Sequence, residues 1–182
     1  ALKCKANITD TIKIKKFDAN LPAGKIGGCI PYDVIMSDSI VSEIPITKYE
    51  WTVGNPAIFS STQQSPKFRL NTVGLYDVRL IVTNTFGCKD TIFREGYVGG
   101  GTPPTVDFTA DPLEDCLKTE RTFTALTSGN ANHWLWDFGD ETSGEGSVVK
   151  HSYGNPKIYD VTLTAFHNGC GATLTKPKYI NV

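Results

Sequence analysis

Apolar and polar residues alternate with a period of two along most of the chain. The alternation is clearest in residues 75–83, LYDVRLIVT, and in residues 158–166, IYDVTLTAF. Runs of this kind, rich in β-branched and aromatic residues, predict strands with one buried face. Clusters of Gly, Asn and Pro separate the runs, and no stretch shows a helical period of 3.6. The pattern therefore predicts an all-β chain.

The same landmarks occur twice, in the same order and at similar spacings. Cys29, Trp51, Leu70, Tyr76 and Cys88 recur as Cys116, Trp136, Tyr153, Tyr159 and Cys170. Such self-similarity is typical of repeat proteins. We interpret residues 15–99 as a first unit and residues 103–182 as a second unit. Residues 1–14 resemble the end of the first unit, which predicts that they are the last strand of a preceding repeat.

The stretch between the two units contains three glycines followed by two prolines. Residues 99–104 read GGGTPP. Glycine-rich segments behave as flexible coil, whereas consecutive prolines are extended and stiff. We therefore predict a linker that is flexible at its glycines and stiff at its prolines.

Composition excludes several function classes. The 182 residues carry a formal net charge of −1 without a basic stripe, so we expect no nucleic-acid partner. No apolar run approaches the roughly 18 residues of a membrane helix, so we expect no membrane insertion. Five cysteines in small Thr-rich units predict disulfides and an oxidising compartment. The chain begins at Ala1 without a signal-peptide pattern, and we expect it to be part of a longer protein.

Each unit has about 80 residues, one tryptophan in its middle and one tyrosine opening its penultimate strand. This arrangement is typical of an immunoglobulin-like β-sandwich, with a core Trp on strand C and a Tyr at the start of strand F. Paired sheets of this kind bury one face of each strand.

Three stretches of the second unit resemble the polycystic-kidney-disease (PKD) domain family: WDFGD at 136–140, HSY at 151–153 and YDVTLT at 159–164. The first unit resembles a degenerate copy, with WTVGN at 51–55 and Phe68 at the histidine position. The resemblance implies tandem PKD-type sandwiches. The motif residues that it marks as structural are Trp51, Tyr76, Trp136, Asp137, Gly139, Asp140, His151, Tyr153 and Tyr159.

The added cysteines are similar to those in PKD arrays of large secreted Bacteroidetes proteins, including cell-surface adhesins of gliding bacteria. This similarity implies a secreted protein at a bacterial cell surface. The partners that it implies are neighbouring repeats of the same chain and surface polysaccharide or protein.

Asp137 and Asp140 have three interpretations: paired catalytic carboxylates, calcium ligands, or caps of a tight turn. Residues three apart on a strand face opposite sides of the sheet, which argues against a shared active site. Asx side chains commonly bond turn amides, and Gly139 suits a backbone that other residues avoid. The turn interpretation is therefore favoured. Some PKD domains bind calcium, and Asp107 and Asp140 are the candidate ligands that this implies.

Two further side chains have a structural and a functional interpretation. Trp134 lies on the same strand face as Trp136, which favours packing at the sandwich rim over sugar stacking. His151 has no Cys, Ser or acid at the spacing of a catalytic triad. We expect it to form a hydrogen bond near the turn at 137–140.

The cysteines allow two pairing schemes. Intradomain pairs would be Cys29–Cys88 and Cys116–Cys170. In an immunoglobulin-like unit, however, the start of strand B lies at the C-terminal end of the unit and the F–G turn at the N-terminal end. A strand of about seven residues separates these ends by over roughly 20 Å, too far for a disulfide. This geometry favours a staggered pair between consecutive units, Cys29–Cys170, with Cys4, Cys88 and Cys116 bonded to other units.

Three functions follow from these observations. The first is a non-catalytic, stiff, disulfide-stabilised spacer, filament or adhesin stalk. The alternative is an accessory region of a secreted hydrolase that binds polysaccharide or protein. An enzyme is the third, and we expect none, since the sequence has no nucleophile–base pair, metal cluster or phosphate loop. No cofactor is expected apart from the calcium that the resemblance allows.

Overall fold

A computed structural model of the protein describes residues 17, 18 and 20–182. Sixteen strands and no helix occur in this part of the chain, so the all-β prediction is confirmed. The strands are β1 (Phe17–Asp18), β2 (Ile26–Cys29), β3 (Tyr32–Ile35), β4 (Val41–Ser42), β5 (Ile46–Val53), β6 (Phe59–Ser61), β7 (Lys67–Leu70), β8 (Gly74–Asn84), β9 (Lys89–Gly101), β10 (Val106–Asp111), β11 (Arg121–Thr127), β12 (His133–Asp137), β13 (Ser143–Glu145), β14 (Val148–His151), β15 (Ile158–His167) and β16 (Cys170–Asn181).

The second unit is a sandwich of two antiparallel sheets. One sheet has the order β10-β11-β14 and the other β13-β12-β15-β16. Labelled along the chain as A, B, C, C′, E, F and G, these strands give the sheets A-B-E and C′-C-F-G. That order is the immunoglobulin-like arrangement expected from the sequence.

The first unit has the same central strands with a different edge. Its larger sheet has the order β2-β9-β8-β5-β6, and β3 pairs with β7 opposite it. Strand β2 runs parallel to β9, from Ile26 beside Val98 to Cys29 beside Gly101. A short ladder between β1 and β4 completes the unit. The chain therefore leaves the first unit along a strand that is paired on both sides.

Each unit has its own hydrophobic core around one tryptophan. Trp51 and Trp136 are both at least 98% buried. Each indole N–H donates to a backbone carbonyl oxygen, that of Gln63 at 3.0 Å in the first unit and that of Gly146 at 2.8 Å in the second. Since a buried indole N–H without an acceptor is costly, these bonds fix the orientation of both rings.

The tyrosine that opens strand F makes the same contact in both units. The hydroxyl of Tyr159 donates to the carbonyl oxygen of Asn155 at 2.8 Å. The hydroxyl of Tyr76 lies 3.3 Å from the carbonyl oxygen of Thr72. Both bonds reach back four residues and close the loop before the strand, as in the tyrosine corner of immunoglobulin-like domains.

The aspartate after this tyrosine also has one role in both units. Asp77 accepts the N–H of Gly96 at 2.8 Å, and Asp160 accepts the N–H of Lys178 at 2.6 Å. Gly96 and Lys178 have φ of 54° and 51° and lie where the F–G pairing shifts register. The carboxylate thus holds a β-bulge, which explains why Tyr-Asp-Val occurs in both units.

The glycines between the units are not a flexible linker. Gly99–Gly101 are the last residues of β9, they pair with β2 and β8, and all three are buried. The prediction of a flexible segment was wrong because these residues are packed between the two units. The predicted strand at 1–14 lies outside the described residues. No helix in the described part is long and apolar enough to cross a membrane.

Candidate functional site

The turn at 137–140 is closed by its own carboxylates. Asp137 Oδ1 accepts the N–H of Gly139 at 2.9 Å, and Asp140 Oδ1 accepts the N–H and the hydroxyl of Thr142 at 3.2 and 2.5 Å. Gly139 has a φ of 77°, and a Cβ there would overlap the carbonyl oxygen of Asp160. This is the turn-capping arrangement that the sequence favours. Asp137 binds Gly139 and Asp140 binds Thr142, so the two carboxylates share no partner.

His151 joins the turn to the core of the second unit. Its Nε2 lies 2.9 Å from Asp140 Oδ2, and the imidazole N–H donates because an ionised carboxylate can only accept. The imidazole stacks on Phe138 at 4.1 Å between ring centroids and meets Tyr153 edge-on at 4.6 Å. The Tyr153 hydroxyl donates to the carbonyl oxygen of Phe138 at 3.1 Å. The Asp140 carboxylate, His151 Nε2 and the Tyr153 hydroxyl are therefore all hydrogen-bonded to groups in or beside the turn.

The electrostatics of the turn favour one protonation state. Burial raises the pKa of Asp140, but the hydrogen bonds from Thr142 and His151 and the attraction of His151 outweigh it, so the pKa lies below 3.8. Burial raises the pKa of the Tyr153 hydroxyl, and that group remains a neutral donor. An ionised Asp140 that is already bonded on both oxygens has a structural role.

The candidate calcium ligands are bonded to other groups. Asp107 lies on β10, where Lys176 approaches its carboxylate at 2.7 Å, and this hydrogen bond together with the Phe108 N–H lowers its pKa. Asp140 lies beyond the end of β12 in the other sheet and is bonded to Thr142 and His151. No group of three or more His, Cys, Asp or Glu suited to a metal occurs in the described part of the chain.

The first unit joins the corresponding strands by a different turn, which lacks the acids and contains a cis Asn55–Pro56 peptide bond. Gly54 has a φ of 83°, and its N–H donates to the carbonyl oxygen of Asp77 at 2.8 Å. Phe68, at the position of His151, stacks on Phe59 at 4.4 Å between centroids. An apolar stack thus lies where the second unit has the Asp–His pair, and the first unit connects these strands without the carboxylates.

Trp134 lies at the rim of the second core. It is half-buried against that core, and its indole N–H donates to the Thr127 hydroxyl at 3.2 Å. The ring therefore packs against the core and its N–H is hydrogen-bonded, in agreement with the rim interpretation.

A disulfide joins the two units. Cys29, at the end of β2, is bonded to Cys170, at the start of β16, with a Cα–Cα distance of 4.4 Å. This is the staggered pair. The intradomain pairs Cys29–Cys88 and Cys116–Cys170 do not form, because Cys88 lies at the opposite end of the first unit from Cys29 and Cys116 at the opposite end of the second from Cys170. Cys88 and Cys116 are free and exposed.

The turn that carries Cys170 packs directly against the backbone of the first unit. A Cβ on Gly27 would lie 2.6 Å from the Asn168 carbonyl oxygen, and one on Gly99 would lie 2.7 Å from the same atom. A Cβ on Gly101 would overlap the carbonyl oxygen of His167. We call Gly27, Gly99 and Gly101 the glycine socket. Only glycine permits this approach, which places the β15–β16 turn against β2 and β9.

Polar groups around the socket are bonded across the junction. The side-chain amide of Asn168 donates to the carbonyl oxygen of Gly100 at 3.3 Å. The N–H of Thr102 donates to His167 Nδ1 at 3.3 Å. Within the first unit, the hydroxyl of Tyr32 donates to the carbonyl oxygen of Gly99 at 2.8 Å. The junction is therefore a packed, hydrogen-bonded contact with a covalent bond at one side.

Sequence reasoning missed the glycine socket and Arg121. Arg121 is fully buried, donates to the carbonyl oxygens of Thr119, Asp115 and Asn181, and lies 5.7 Å from the Tyr153 ring centroid. The sequence contains the socket as two glycine runs, IGGC at 26–29 and GGG at 99–101, but runs of this kind also occur in flexible linkers. No signal identifies Arg121, because backbone carbonyl acceptors are the same for every sequence.

We expect Asp140→Asn to destabilise the second unit by about 1 kcal/mol near neutral pH, because it removes a charged acceptor of two side-chain hydrogen bonds. The folded-state pKa is lowered, so the stabilisation is present above the ordinary value of 3.8 and is lost as pH falls through the folded-state pKa. Urea unfolding of both proteins from pH 7 to pH 3 measures it. Asp107→Asn is the control, with a smaller effect because that pair is exposed. A stability difference that grows on acidification would contradict the assignment.

We expect Gly27→Val to weaken the junction without unfolding either unit. The new side chain would collide with the Asn168 carbonyl, and overpacking of this kind lowers the equilibrium constant for forming Cys29–Cys170 by about tenfold. The measurement is the fraction of this disulfide at a fixed glutathione ratio. Gly154→Val is the matched control, since a Cβ at Gly154 meets no atom within 4 Å. Equal disulfide fractions in the two variants would show that the socket does not need glycine.

Comparisons with known proteins agree with this fold. Residues 101–182 match the family model described as PKD domain. No curated protein sequence matches the chain. The fibronectin(III)-like modules of Clostridium thermocellum CbhA are similar in structure, with a TM-score of 0.54 at 17% identity over 92% of this chain and 94% of that one. Murine CEACAM1b gives a TM-score of 0.45 at 10% identity, over 88% and 98% of the two chains. The protein thus has an immunoglobulin-like β-sandwich fold, and its residues 101–182 match the PKD domain family.

Proposed function

We propose that the chain is a non-catalytic segment of a secreted bacterial cell-surface protein, in which consecutive PKD-type repeats form a stiff spacer or adhesin stalk. Its partners are then the neighbouring repeats of the same chain. The repeated tyrosine corner, the repeated β-bulge and the two separate cores support the repeat interpretation. The similarity of the cysteine-bearing units to secreted Bacteroidetes arrays supports the location.

The junction between the units is the observation that carries this proposal. A disulfide links the two units, and beside it the β15–β16 turn packs on the glycine socket. Together these contacts restrict the bending of one unit against the other. Inter-unit interfaces within a chain are otherwise small and allow relative motion. Because the disulfide links two units, it limits the change in angle between them and so keeps the array straight or at a fixed bend.

The side chains that first suggested catalysis have structural partners. Asp137 and Asp140 cap a turn, and His151 is bonded to Asp140 and stacked on Phe138. The first unit joins the corresponding strands by a turn of its own that has no acids at these positions. These contacts support a role in folding for the WDFGD stretch.

The disulfide also determines how the chain carries tension. Cys29 and Cys170 are 141 residues apart in the sequence, and the chain between them would span roughly 480 Å when fully extended. When the termini are pulled, force passes from Cys29 to Cys170 through the bond, and the enclosed strands are bypassed. A stalk built this way keeps its length under load.

We expect single-molecule extension of the oxidised chain, held at residues 1 and 182, to release only the residues outside the disulfide. The Cys29→Ser/Cys170→Ser double variant should release roughly 480 Å more contour length, because both sandwiches then lie in the force path. The double variant also prevents Cys29 from pairing with another cysteine. Release of the full contour length by the oxidised chain would contradict the spacer proposal.

The second candidate function, binding of polysaccharide, is favoured by one surface of the first unit. Phe93 is 59% exposed and lines a shallow groove with Thr52, Asn55 and Arg79 on the outer face of the larger sheet. An exposed ring beside hydrogen-bonding groups suits a sugar. We expect the unaltered chain to be retained on insoluble chitin or cellulose. The Phe93→Ser variant should not be retained, because it lacks the exposed ring. No retention of the unaltered chain would exclude it for these polymers.

A further inference from the structure

We propose that Cys116 is a disulfide site for the Gly-Cys hairpin of a further immunoglobulin-like unit, and that Cys88 is carried by such a hairpin. A second copy of this chain would then join the first end to end through Cys116 and Cys88. The inference rests on the proposed function and names the partner of each free cysteine.

Cys116 occupies the place in the second unit that Cys29 has in the first. Gly27, two residues before Cys29, lies beside Gly99 in the parallel ladder of β2 and β9. Glu114, two residues before Cys116, forms a parallel bridge with Asn181 at the end of β16. Both cysteines therefore follow a short segment that lies parallel to the last strand of its unit, at the C-terminal end.

The segment around Cys116 is held in place by a buried charge. Arg121 donates to the carbonyl oxygen of Asp115 at 3.2 Å and to that of Asn181 at 3.4 Å. The Asn181 N–H donates to the carbonyl oxygen of Leu113 at 3.1 Å. The Cys116 thiol is thus exposed, while its backbone is fixed to the end of β16. A thiol held in this way is preorganised for a disulfide.

Cys88 occupies the place in the first unit that Cys170 has in the second. Each follows a glycine of positive φ in the F–G turn, Gly87 at 80° and Gly169 at 87°. Cys170 lies opposite His167, and the Cys88 carbonyl oxygen accepts the Asn84 N–H at 3.0 Å. Cys29 and Cys170 are bonded in this structure, so the equivalent pair of positions has the geometry of a disulfide.

The free ends differ from the observed junction in side chains. Glu114 and Asn181 stand where the first unit has the socket glycines Gly27 and Gly99, so a hairpin cannot approach as closely. The Cα–Cα distance of 4.4 Å at Cys29–Cys170 is at the short end of a range that extends to about 6.8 Å. A disulfide at Cys116 therefore remains feasible with the hairpin up to about 2 Å further out.

The two free ends present apolar surface to each other. Glu114 and Asp115 precede Cys116, whereas Lys89 and Asp90 follow Cys88 and carry no net charge together. The tip of the Cys88 turn is Phe86, which is 75% exposed. Exposed apolar side chains around the Cys116 end offer it a contact, and these are Leu113, Leu117 and Ile158. Two Cys116 ends would bring like charges together, and a Cys88 end would not, which favours pairing of unlike ends over two Cys116 ends.

The bond forms by thiol–disulfide exchange with a disulfide oxidant such as oxidised glutathione. The Cys116 thiolate attacks one glutathione sulfur, and a glutathione thiolate leaves. The Cys88 thiolate then attacks the Cys116 sulfur of the mixed disulfide, and the second glutathione leaves. Two protein thiols are oxidised, and one oxidised glutathione is reduced to two thiols.

Two single-thiol variants test the proposal. Cys4→Ser/Cys88→Ser retains Cys116, and Cys4→Ser/Cys116→Ser retains Cys88. Cys4 is removed so that each variant has one thiol besides the Cys29–Cys170 disulfide. Equal amounts, distinguished by a mass tag, are mixed in a glutathione redox buffer. Random exchange gives heterodimers about half of the time, whereas directed pairing raises the ratio of heterodimer to homodimer about tenfold. Non-reducing electrophoresis measures the ratio, and peptide mass spectrometry identifies the Cys88–Cys116 bond.

Phe86→Ser in the Cys88 variant should lower the heterodimer ratio. Phe93→Ser is the matched control, since it removes an exposed ring in the middle of β9, away from the turn. Retention of Cys29–Cys170 in every variant reports that the units are folded. Heterodimers at the chance ratio, or an equal loss in the two Phe variants, would overturn the inference. Extension of the single chain is independent of this pairing, so the proposed function can hold where the inference fails.

Discussion

The arrangement of the two units depends on how closely two backbones can approach. The β15–β16 turn lies against β2 and β9 because Gly27, Gly99 and Gly101 present no side chain to it. That approach brings Cys170 within bonding distance of Cys29. The disulfide, the hydrogen bond from Asn168 to Gly100 and the burial of the strand end all follow from this single steric condition.

Comparison of the two units separates the contacts that both sandwiches share from those that only one of them has. Both keep a buried tryptophan with a bonded indole N–H, a tyrosine corner and an aspartate on the bulge. Only the second adds Asp140 and His151 to the turn. In the first unit, Phe59 and Phe68 stack in the same region. The hydrogen bond between Asp140 and His151 and the stack of Phe59 on Phe68 are thus two ways to fill the same region of the sandwich.

Local sequence determined much of this picture and could not determine the rest. The alternating runs predict β8 and β15 because a strand's period is present in its own residues. The WDFGD turn was readable for the same reason, as its capping atoms lie within three residues of the amides they bind. The glycine socket was not, because a glycine run has the same composition in a loose linker and in a tight contact. Its partner, Asn168, lies more than sixty residues away. Arg121 was hidden because its acceptors are backbone carbonyls that any sequence provides.

The connectivity of the disulfide has a consequence for how the protein matures. Cys88 and Cys116 both lie between Cys29 and Cys170 along the chain. During synthesis of the chain, Cys4, Cys88 and Cys116 all appear before Cys170, the partner of Cys29. Oxidation in order of appearance would pair Cys29 with Cys4 or with Cys88. The first sandwich must therefore close before its cysteine is oxidised, because the folded core holds Cys29 and Cys88 at opposite ends. The Cys29–Cys170 bond therefore forms correctly only after the units have folded. Where oxidation is faster than folding, a disulfide isomerase is needed to exchange the wrong bonds.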